Sequence, residues 1–254
     1  MMLLQAFVTA LQLLTRIPLS IPGYDPVRQE KVAGYAVLFY PVVGVLIGAL
    51  LVSLLGLLQP VWQSEASILH AGLLLTGWVM VTGALHLDGL ADSADAWLGG
   101  FGDRERTLAI MKDPYAGPAG VTAIMVILLL KFAALSELSW TLWPALLVIP
   151  VLARVQVVLL FLTTAYVRPG GMGASATEHL PRKTAWAWLL LIAVAVIALI
   201  ESGWMLIVAM GLVFVVLRAI MQQRLGGTTG DTAGALIEIT EAALLCLIVL
   251  VQSA

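Results

Sequence analysis

Long apolar runs separated by short polar connections dominate the chain from residue 34 onwards. Seven of these runs predict transmembrane helices, over residues 34–58, 66–87, 118–138, 142–166, 186–200, 203–220 and 233–252. About 20 apolar residues cross a bilayer core, and a helix satisfies every backbone polar group within its own segment. The pattern therefore predicts an all-α fold, a polytopic transmembrane helical bundle. We expect one integral membrane domain over residues 1–254 with about seven spans, six and eight being the alternatives.

The first apolar run, residues 3–14, is too short for a standard span. No basic residue precedes it, Arg16 follows it, and no small-residue cleavage site appears, so it is unlike a signal peptide. We expect an N-terminal helix that lies in the membrane interface. A true first span is the alternative.

Composition agrees with a membrane protein and excludes several other classes. The chain is 61% hydrophobic and 11% charged, whereas a soluble domain has about 25% charged residues. A net charge of −2 argues against a nucleic-acid partner, so we expect the lipid bilayer and small molecules as partners. Cys246 is the single cysteine, which excludes an intramolecular disulfide.

The basic residues are distributed on one side of the predicted bundle. Eleven of the 13 Lys and Arg residues lie before the first span or in alternate connections; the other two are Lys131 and Arg154, inside spans. The intervening connections, "QPVWQSEA", "SWT" and "ESG", contain none. The positive-inside rule makes the basic side cytoplasmic. This side also has the longer polar loops, which favours chemistry at the cytoplasmic surface over transport.

The segment "HLDGLADSADAWLGG", residues 86–100, follows an uncharged apolar run. On a helix, Asp88, Asp92 and Asp95 fall within an arc of about 60°. Each carboxylate would cost about 2.5–3.5 kcal/mol at the bilayer centre, and the three repel one another. A bound hard cation, Mg²⁺ or Mn²⁺, would remove both costs. His86 is a candidate ligand or ligand partner; a merely hydrated helix end is the alternative for the aspartates.

Basic residues follow in "FGDRERTLAIMKDPYAGPAG". Arg104, Arg106 and Lys112 are candidates to bind phosphate, and membrane anchoring by positive charge is the alternative. Asp113 precedes Pro114, which is typical of a helix N-cap followed by proline. A role for Asp113 in the metal site is the other interpretation.

A second polar cluster is "RLGGTTGDTAGALIEITEA". Its glycines at 226, 227 and 230 indicate an anion-binding loop at a helix start. Asp231, Glu238 and Glu241 share one helical face. The two glutamates lie inside a predicted span, where carboxylates are functional candidates. Arg154 is their candidate counter-ion, and a structural ion pair is equally compatible with the sequence.

Together, carboxylates, basic residues and a glycine-rich loop on one membrane face predict transfer of a phosphate-linked group onto an alcohol. A membrane transporter is the first alternative, with Glu238, Glu241 and Arg154 forming an ion or proton path. A purely structural membrane subunit is the second alternative, and it leaves the aspartates unexplained.

Five blocks carry a resemblance to a known family: "LLTRIP", "HLDGLADSADAW", "RTLAIMKDPYAGPAG", "RPGGMGA" and "GGTTGDTAGALIE". They extend from near residue 13 to near residue 238, and they resemble cobalamin synthase, the adenosylcobinamide-GDP ribazoletransferase of bacterial inner membranes. The resemblance implies a Mg²⁺-dependent transferase of the last stage of vitamin B12 biosynthesis. Its substrates would be adenosylcobinamide-GDP and α-ribazole or α-ribazole 5′-phosphate, and its products adenosylcobalamin (or its 5′-phosphate) and GMP.

The resemblance also implies site residues. Asp88, Asp92 and Asp95 would be metal ligands. The aspartate-rich helix is similar to that of CDP-alcohol phosphotransferases, which are a further alternative by analogy. The candidate catalytic set is these aspartates with His86. The candidate substrate-binding set is Arg104, Arg106, Lys112, Asp113, Arg154, Gly227, Gly230, Asp231 and Glu238. A homo-oligomer is left open.

Overall fold

The computed structural model of the chain describes residues 1–19, 26–58, 67–139, 142–168, 170 and 172–252. The predicted connection at 59–66 and most of the one at 139–141 lie outside the described residues. The described residues form twelve helices: α1 (Met2–Leu14), α2 (Pro26–Val37), α3 (Tyr40–Leu58), α4 (Ser67–Thr82), α5 (Leu85–Gly99), α6 (Arg104–Ile110), α7 (Pro118–Glu137), α8 (Trp143–Thr163), α9 (Met172–Glu178), α10 (Arg182–Leu199), α11 (Gly203–Leu225) and α12 (Gly230–Gln252).

Six of these helices are long and apolar enough to cross a membrane: α3, α7, α8, α10, α11 and α12. The consecutive helices α4 and α5 add a seventh span if they are counted as one bent crossing. This confirms the predicted polytopic helical bundle. The N-terminal helix α1 is apolar but shorter than a span.

The predicted helix over 66–87 is wrong, because the chain turns sharply within it. Helix α4 ends at Thr82, and Gly83 and Ala84 have φ angles of 61° and 57°. Two successive residues in the left-handed region end the helix, and α5 starts at an angle of 86° to α4. The aspartates therefore lie on a helix of their own and not at the end of a straight span. The apolar run continues through the turn, so hydrophobicity alone did not reveal it.

Other predicted boundaries also differ from the structure. The run 34–58 is two helices, with a break between Val37 and Tyr40. Helix α11 continues past the predicted residue 220 to residue 225, and α10 begins four residues before the predicted start at 186. The short helices α6 and α9 lie in segments expected to be connections. Their seven-residue lengths are below what hydrophobic periodicity detects.

Helix α8 is the centre of the bundle, since 83% of its span is buried inside the protein. Helix α3 packs closely against it through Gly44 and Gly48. A Cβ on Gly44 would lie 2.7 Å from the Pro150 carbonyl oxygen, and one on Gly48 would lie 2.7 Å from the Leu147 Cα. Only glycine permits this backbone approach between membrane helices. Pro144 lies in the first turn of α8, where proline is tolerated.

Helices α5 and α12 are in equally close contact, and this contact positions the functional side chains. A Cβ on Gly89 of α5 would lie 2.7 Å from the Asp231 carbonyl oxygen at the start of α12. One on Gly234 of α12 would lie 3.3 Å from the Cα of His86. The acidic face of α5 thus meets the polar N-terminus of α12.

Candidate active site

The packing of α5 on α12 brings Asp88 and Asp92 near Asp231, a residue 139 positions after Asp92 in the chain. The charges that act on Asp92 are the carboxylates of Asp88, Asp231 and Asp95 and the guanidinium of Arg168. Asp88 is exposed, and Asp92 and Asp231 are half-buried. Sequence periodicity grouped Asp231 with the glutamates of its own helix, whereas the structure places it with the aspartates of α5.

Asp95 has a different environment from the other two aspartates of α5. Its two carboxylate oxygens accept hydrogen bonds from the backbone N–H groups of Gly117, at 2.7 Å, and Gly120, at 2.9 Å. These amides belong to the N-terminus of α7, where a negative charge is stabilised by unpaired N–H groups and the helix dipole. Asp95 therefore caps α7 from another helix.

The predicted three-aspartate metal site stays a prediction. Within the described ranges, no three His, Cys, Asp or Glu side chains are close enough to hold one ion. The donor chemistry nevertheless suits a hard divalent cation, since Asp88, Asp92 and Asp231 offer only carboxylate oxygens. Their mutual repulsion also favours a bound cation over an empty cluster.

A cavity of about 570 Å³ opens beside these carboxylates. Its wall consists of parts of α1, α3, α5, α8 and α12 together with the segment after α8. Its polar and charged lining residues are Tyr40, His86, Asp88, Lys112, Tyr166, Arg168 and Asp231. The cavity therefore combines acidic and basic groups in one open cleft, as a site for a metal–phosphate substrate requires.

Arg168 and Tyr166 are site residues that the sequence analysis missed. Arg168 donates to Asp231 Oδ2 and to the Met111 carbonyl oxygen, both at 3.0 Å. The Tyr166 phenol lies close to Gly230 at the start of α12, and burial raises the pKa of this phenol. Both residues follow α8. Arg168 begins the block "RPGGMGA", but no residue pattern indicated that either residue faces the aspartates.

The structure brings only one of the three predicted loop glycines to the cavity. Gly226 ends α11 with a φ of 70°. Gly227 packs against the segment after α8, where a Cβ would lie 2.2 Å from the Ala165 carbonyl oxygen. The adjacent Thr228 pairs with this segment, its N–H donating to Ala165 O at 2.8 Å. Gly230, at the first position of α12, lines the cavity.

Of the three predicted phosphate-binding side chains, Lys112 lines the cavity and the two arginines do not. The Arg104 Nε, at the start of α6, donates to the carbonyl oxygen of Leu225, the last residue of α11, at 2.7 Å. The Arg106 guanidinium lies 5.1 Å from the centre of the Phe101 ring. Both arginines are exposed. Arg104 joins α6 to the end of α11, and Arg106 packs on the ring that precedes α6.

The predicted N-cap at Asp113 is wrong. Helix α7 begins at Pro118 with Gly117 as its N-cap. The Asp113 carboxylate instead accepts from the Tyr115 N–H at 3.0 Å, an Asx turn that stabilises the exposed loop. A second proline, Pro118, follows this loop. Proline is favoured in the first turn of a helix, and Pro118 is the residue at which α7 begins.

A buried ion cluster lies deeper in the bundle. The Lys131 Nζ lies 2.6 Å from Glu238 and 2.5 Å from Glu241, and Arg154 pairs with Glu241. Lys131 also lies 4.8 Å from the centre of the Trp78 ring. The predicted pairing of Arg154 with the glutamates is thus confirmed for Glu241, and Lys131 was missed as a partner. Two cations and two carboxylates balance, and none of the four lines the cavity.

Comparison with known proteins identifies the family. The profile described as cobalamin-5-phosphate synthase matches residues 6–249.

The chain belongs to the cobalamin-5-phosphate synthase family.

The family match runs from α1 into α12 and includes every wall of the cavity. The adenosylcobinamide-GDP ribazoletransferase of Pseudomonas putida (strain GB-1) is 51% identical over 239 residues, 94% of this chain and 95% of its own length. That of Pseudomonas fluorescens (strain Pf0-1) is 50% identical over 240 residues, 93% of this chain and 95% of its own length. That of Pseudomonas paraeruginosa (strain PA7) is 50% identical, with 95% and 96% covered. No solved structure matches the chain.

Proposed function

We propose that this protein is an adenosylcobinamide-GDP ribazoletransferase that acts at the cytoplasmic face of the bacterial inner membrane. The observation that carries the proposal is the one cavity that Asp88, Asp231, Lys112 and Arg168 line together, in a chain about half identical to transferases of that name. Carboxylates and cations around one cavity suit a pyrophosphate-containing substrate.

The proposed reaction is a substitution at phosphorus. A ribose hydroxyl oxygen of α-ribazole, or of its 5′-phosphate, forms a bond to the phosphorus that carries the cobinamide arm. The bond from this phosphorus to the bridging oxygen of the diphosphate breaks, GMP leaves with the bridging oxygen, and the hydroxyl proton is released. Negative charge moves onto the departing GMP, so donors that hold its phosphate stabilise the transition state.

The residues that line the cavity supply charges of both signs. Lys112 and Arg168 supply positive charge for the diphosphate, and the guanidinium suits bidentate contact with phosphate oxygens. Arg168 is oriented by Asp231 and by the Met111 carbonyl oxygen. Pairing of Val167 with Thr228 holds the segment after α8 against the chain that leads into α12.

We further propose that one or two of the carboxylates of Asp88, Asp92 and Asp231 would hold Mg²⁺ together with phosphate oxygens of the substrate. When bound, Mg²⁺ would neutralise charge on these oxygens. Asp95 would support this site indirectly, because it joins α5 to α7 through the two backbone hydrogen bonds.

The test is an activity assay of detergent-purified protein with adenosylcobinamide-GDP and α-ribazole, with and without Mg²⁺. We expect one GMP released for each cobalamin formed, with activity lost on chelation and restored by Mg²⁺. Parallel reactions with α-ribazole 5′-phosphate identify the preferred acceptor. Absence of a cobalamin product with either acceptor would contradict the proposed function, and equal rates in chelator would contradict the proposed metal.

A further inference from the structure

The cavity beside the aspartates is polar at its rim and apolar at its depth. Asp88 and Lys112 at the rim are exposed, whereas Val157, Phe161 and Ile237 are at most 8% exposed although they line the same cavity. Helix α12 shows this gradient along one element. It begins at the rim with Gly230 and reaches Ile237 seven residues later, about 10 Å further along its axis.

His86 lies on the wall of this cavity with unused hydrogen-bonding capacity. His86 is 5% exposed, and neither of its ring nitrogens has a hydrogen-bond partner among the described residues. A buried polar atom without a partner costs about 1–3 kcal/mol, so native proteins rarely keep one unless a ligand or water satisfies it. An unpaired imidazole beside an apolar cavity points to a ligand with a matching polar atom.

The chemistry of the deep walls suits an uncharged ligand. The imidazole ring of His86 has a ring N–H that can donate a hydrogen bond, and the side chains that line the depth of the cavity beside it, Val157, Phe161 and Ile237, are apolar.

Size separates the two substrates of the proposed reaction. Cavities of about 300–1,000 Å³ enclose drug-sized ligands, and the volume of about 570 Å³ suits a nucleoside. A corrin ring with its side chains is far larger, so the corrinoid remains outside the cavity. The choice of occupant for the apolar depth is therefore between the guanine and the benzimidazole base.

Polarity decides between these two bases. Guanine has several donors and acceptors on its edges, and burying them unpaired is costly. The base of α-ribazole is a dimethylated benzimidazole, flat and apolar, with one unsubstituted ring nitrogen that accepts a hydrogen bond. Aliphatic and aromatic walls that carry the His86 imidazole and the Tyr40 phenol match the second base, which has fewer polar atoms to pair.

We propose that the apolar end of this cavity binds the benzimidazole base of α-ribazole, with the imidazole of His86 beside its unsubstituted nitrogen. The sugar then extends to the rim, where its hydroxyl groups reach the carboxylates of Asp88 and Asp231. This inference rests on the proposed function and assigns the acceptor subsite within it.

The first test uses the wild-type protein and free 5,6-dimethylbenzimidazole as the probe. We expect inhibition that is competitive against α-ribazole and not competitive against adenosylcobinamide-GDP. GMP, in contrast, should compete with adenosylcobinamide-GDP. Competition between GMP and α-ribazole, or between the free base and adenosylcobinamide-GDP, would overturn the assignment, as would the absence of inhibition by the free base.

The second test fills or alters the subsite. Ile237→Trp occupies the apolar depth, and His86→Phe keeps a ring while removing the donor; Leu212→Trp, on the exposed side of α11, is the matched control for a bulky substitution. Both site variants should raise the KM for α-ribazole about tenfold or more, the effect of losing a hydrogen bond or comparable contact. The KM for adenosylcobinamide-GDP should stay unchanged, and the control should match the wild type in both.

The outcomes distinguish this inference from the proposed function. Turnover by Ile237→Trp with an unchanged KM for α-ribazole would overturn the subsite and leave the transferase function intact. A folded wild-type protein that neither forms cobalamin nor binds α-ribazole, measured by calorimetric titration, would overturn both. Binding of α-ribazole that Ile237→Trp weakens, without any turnover, would support the subsite and contradict the function.

Discussion

Single residues of one helical face have separate roles in this protein. Asp88, Asp92 and Asp95 lie on the same face of α5, yet the carboxylate of Asp95 is engaged by two backbone amides of α7. Asp88 is exposed and lines the cavity. The negative charges of Asp88 and Asp231 act on the carboxylate of Asp92. Substitutions along this face should therefore have different consequences.

The first prediction concerns the proposed metal ligands. Asp88→Asn and Asp92→Asn remove a charge while keeping an oxygen donor, so the protein should fold and bind Mg²⁺ more weakly. We expect turnover to fall about a hundredfold, a loss of a few kcal/mol in transition-state stabilisation. Steady-state rates across a Mg²⁺ titration check this, and higher Mg²⁺ should restore part of the activity.

The control for these variants is Asp103→Asn. Asp103 caps α6 by accepting from the Arg106 N–H, and asparagine caps helices about as well as aspartate. Its rate should equal that of the wild type. Wild-type rates in both Asp88→Asn and Asp92→Asn would contradict the metal site.

The second prediction concerns Asp95. Asp95→Asn leaves one acceptor oxygen where two amides need acceptors and removes the charge that stabilises the α7 N-terminus. We expect a loss of about 1–3 kcal/mol in stability, measured by thermal unfolding in detergent, and a reduced rate that added Mg²⁺ does not restore. Recovery of the Asp95→Asn rate at high Mg²⁺ would instead identify Asp95 as a ligand.

The third prediction concerns Arg168, the site residue that sequence analysis missed. Arg168→Gln removes the charge beside Asp231 and the proposed contact with the diphosphate. Hydrogen bonds to charged groups contribute about 1.5–3 kcal/mol, so kcat/KM for adenosylcobinamide-GDP should fall at least about tenfold. Lys183→Gln, an exposed basic residue at the start of α10, is the control for lost positive charge. Equal kcat/KM values in the two variants would remove Arg168 from the substrate site.

At the level of helices, the buried ion cluster joins three spans. Lys131 comes from α7, Arg154 from α8, and Glu238 and Glu241 from α12. Charges inside a membrane protein are stable when they are paired with one another. Because each of these four is paired, the cluster holds α12 against both neighbours, and α12 in turn carries Asp231 to the cavity.

The fourth prediction tests this structural role of the buried ion cluster. Lys131→Met leaves Glu238 without its cation, and breaking a buried pair costs about 3–5 kcal/mol. The double variant Lys131→Met/Glu238→Leu removes both charges and leaves the Arg154–Glu241 pair, so it should regain much of that stability. Tryptophan fluorescence during thermal unfolding provides the measurement. Glu137→Gln, exposed on the same helix, should be close to neutral; a double variant no more stable than Lys131→Met would contradict the pairing.

At the level of the whole molecule, the cavity lies at one end of the helical bundle. It is formed where α8 ends and where α12 begins, and the basic connections lie at the same end. In the proposed function, water-soluble substrates reach the cavity from the compartment that this end faces. The orientation of the bundle therefore decides which compartment supplies them.

The fifth prediction is the orientation. Glu178 and Glu201 are exposed residues at opposite ends of α10, and a cysteine at each position can be tested in a Cys246→Ser background. An impermeant thiol reagent should label Glu201→Cys in spheroplasts, which expose the periplasmic face of the inner membrane. Glu178→Cys should be labelled only after the cells are opened. The reverse pattern would place the cavity on the periplasmic side and contradict the cytoplasmic assignment.

The fold class could be predicted from the sequence, because the need for about 20 apolar residues per span acts on contiguous chain segments. It also located α5 as the acidic segment and Lys112, Gly230 and Asp231 as site candidates, since polar residues among apolar runs are conspicuous. Its motifs suggested the family, which the comparisons then showed.

Which of these residues share a site depends on how the helices pack together. The turn after Thr82 depends on two left-handed residues that hydrophobicity does not report. Asp231 joins Asp88 because glycines allow α5 and α12 to touch, and Lys131 meets Glu238 across 107 positions of sequence. Hydrophobic periodicity describes how each helix faces its surroundings, whereas these pairings depend on which helices pack together.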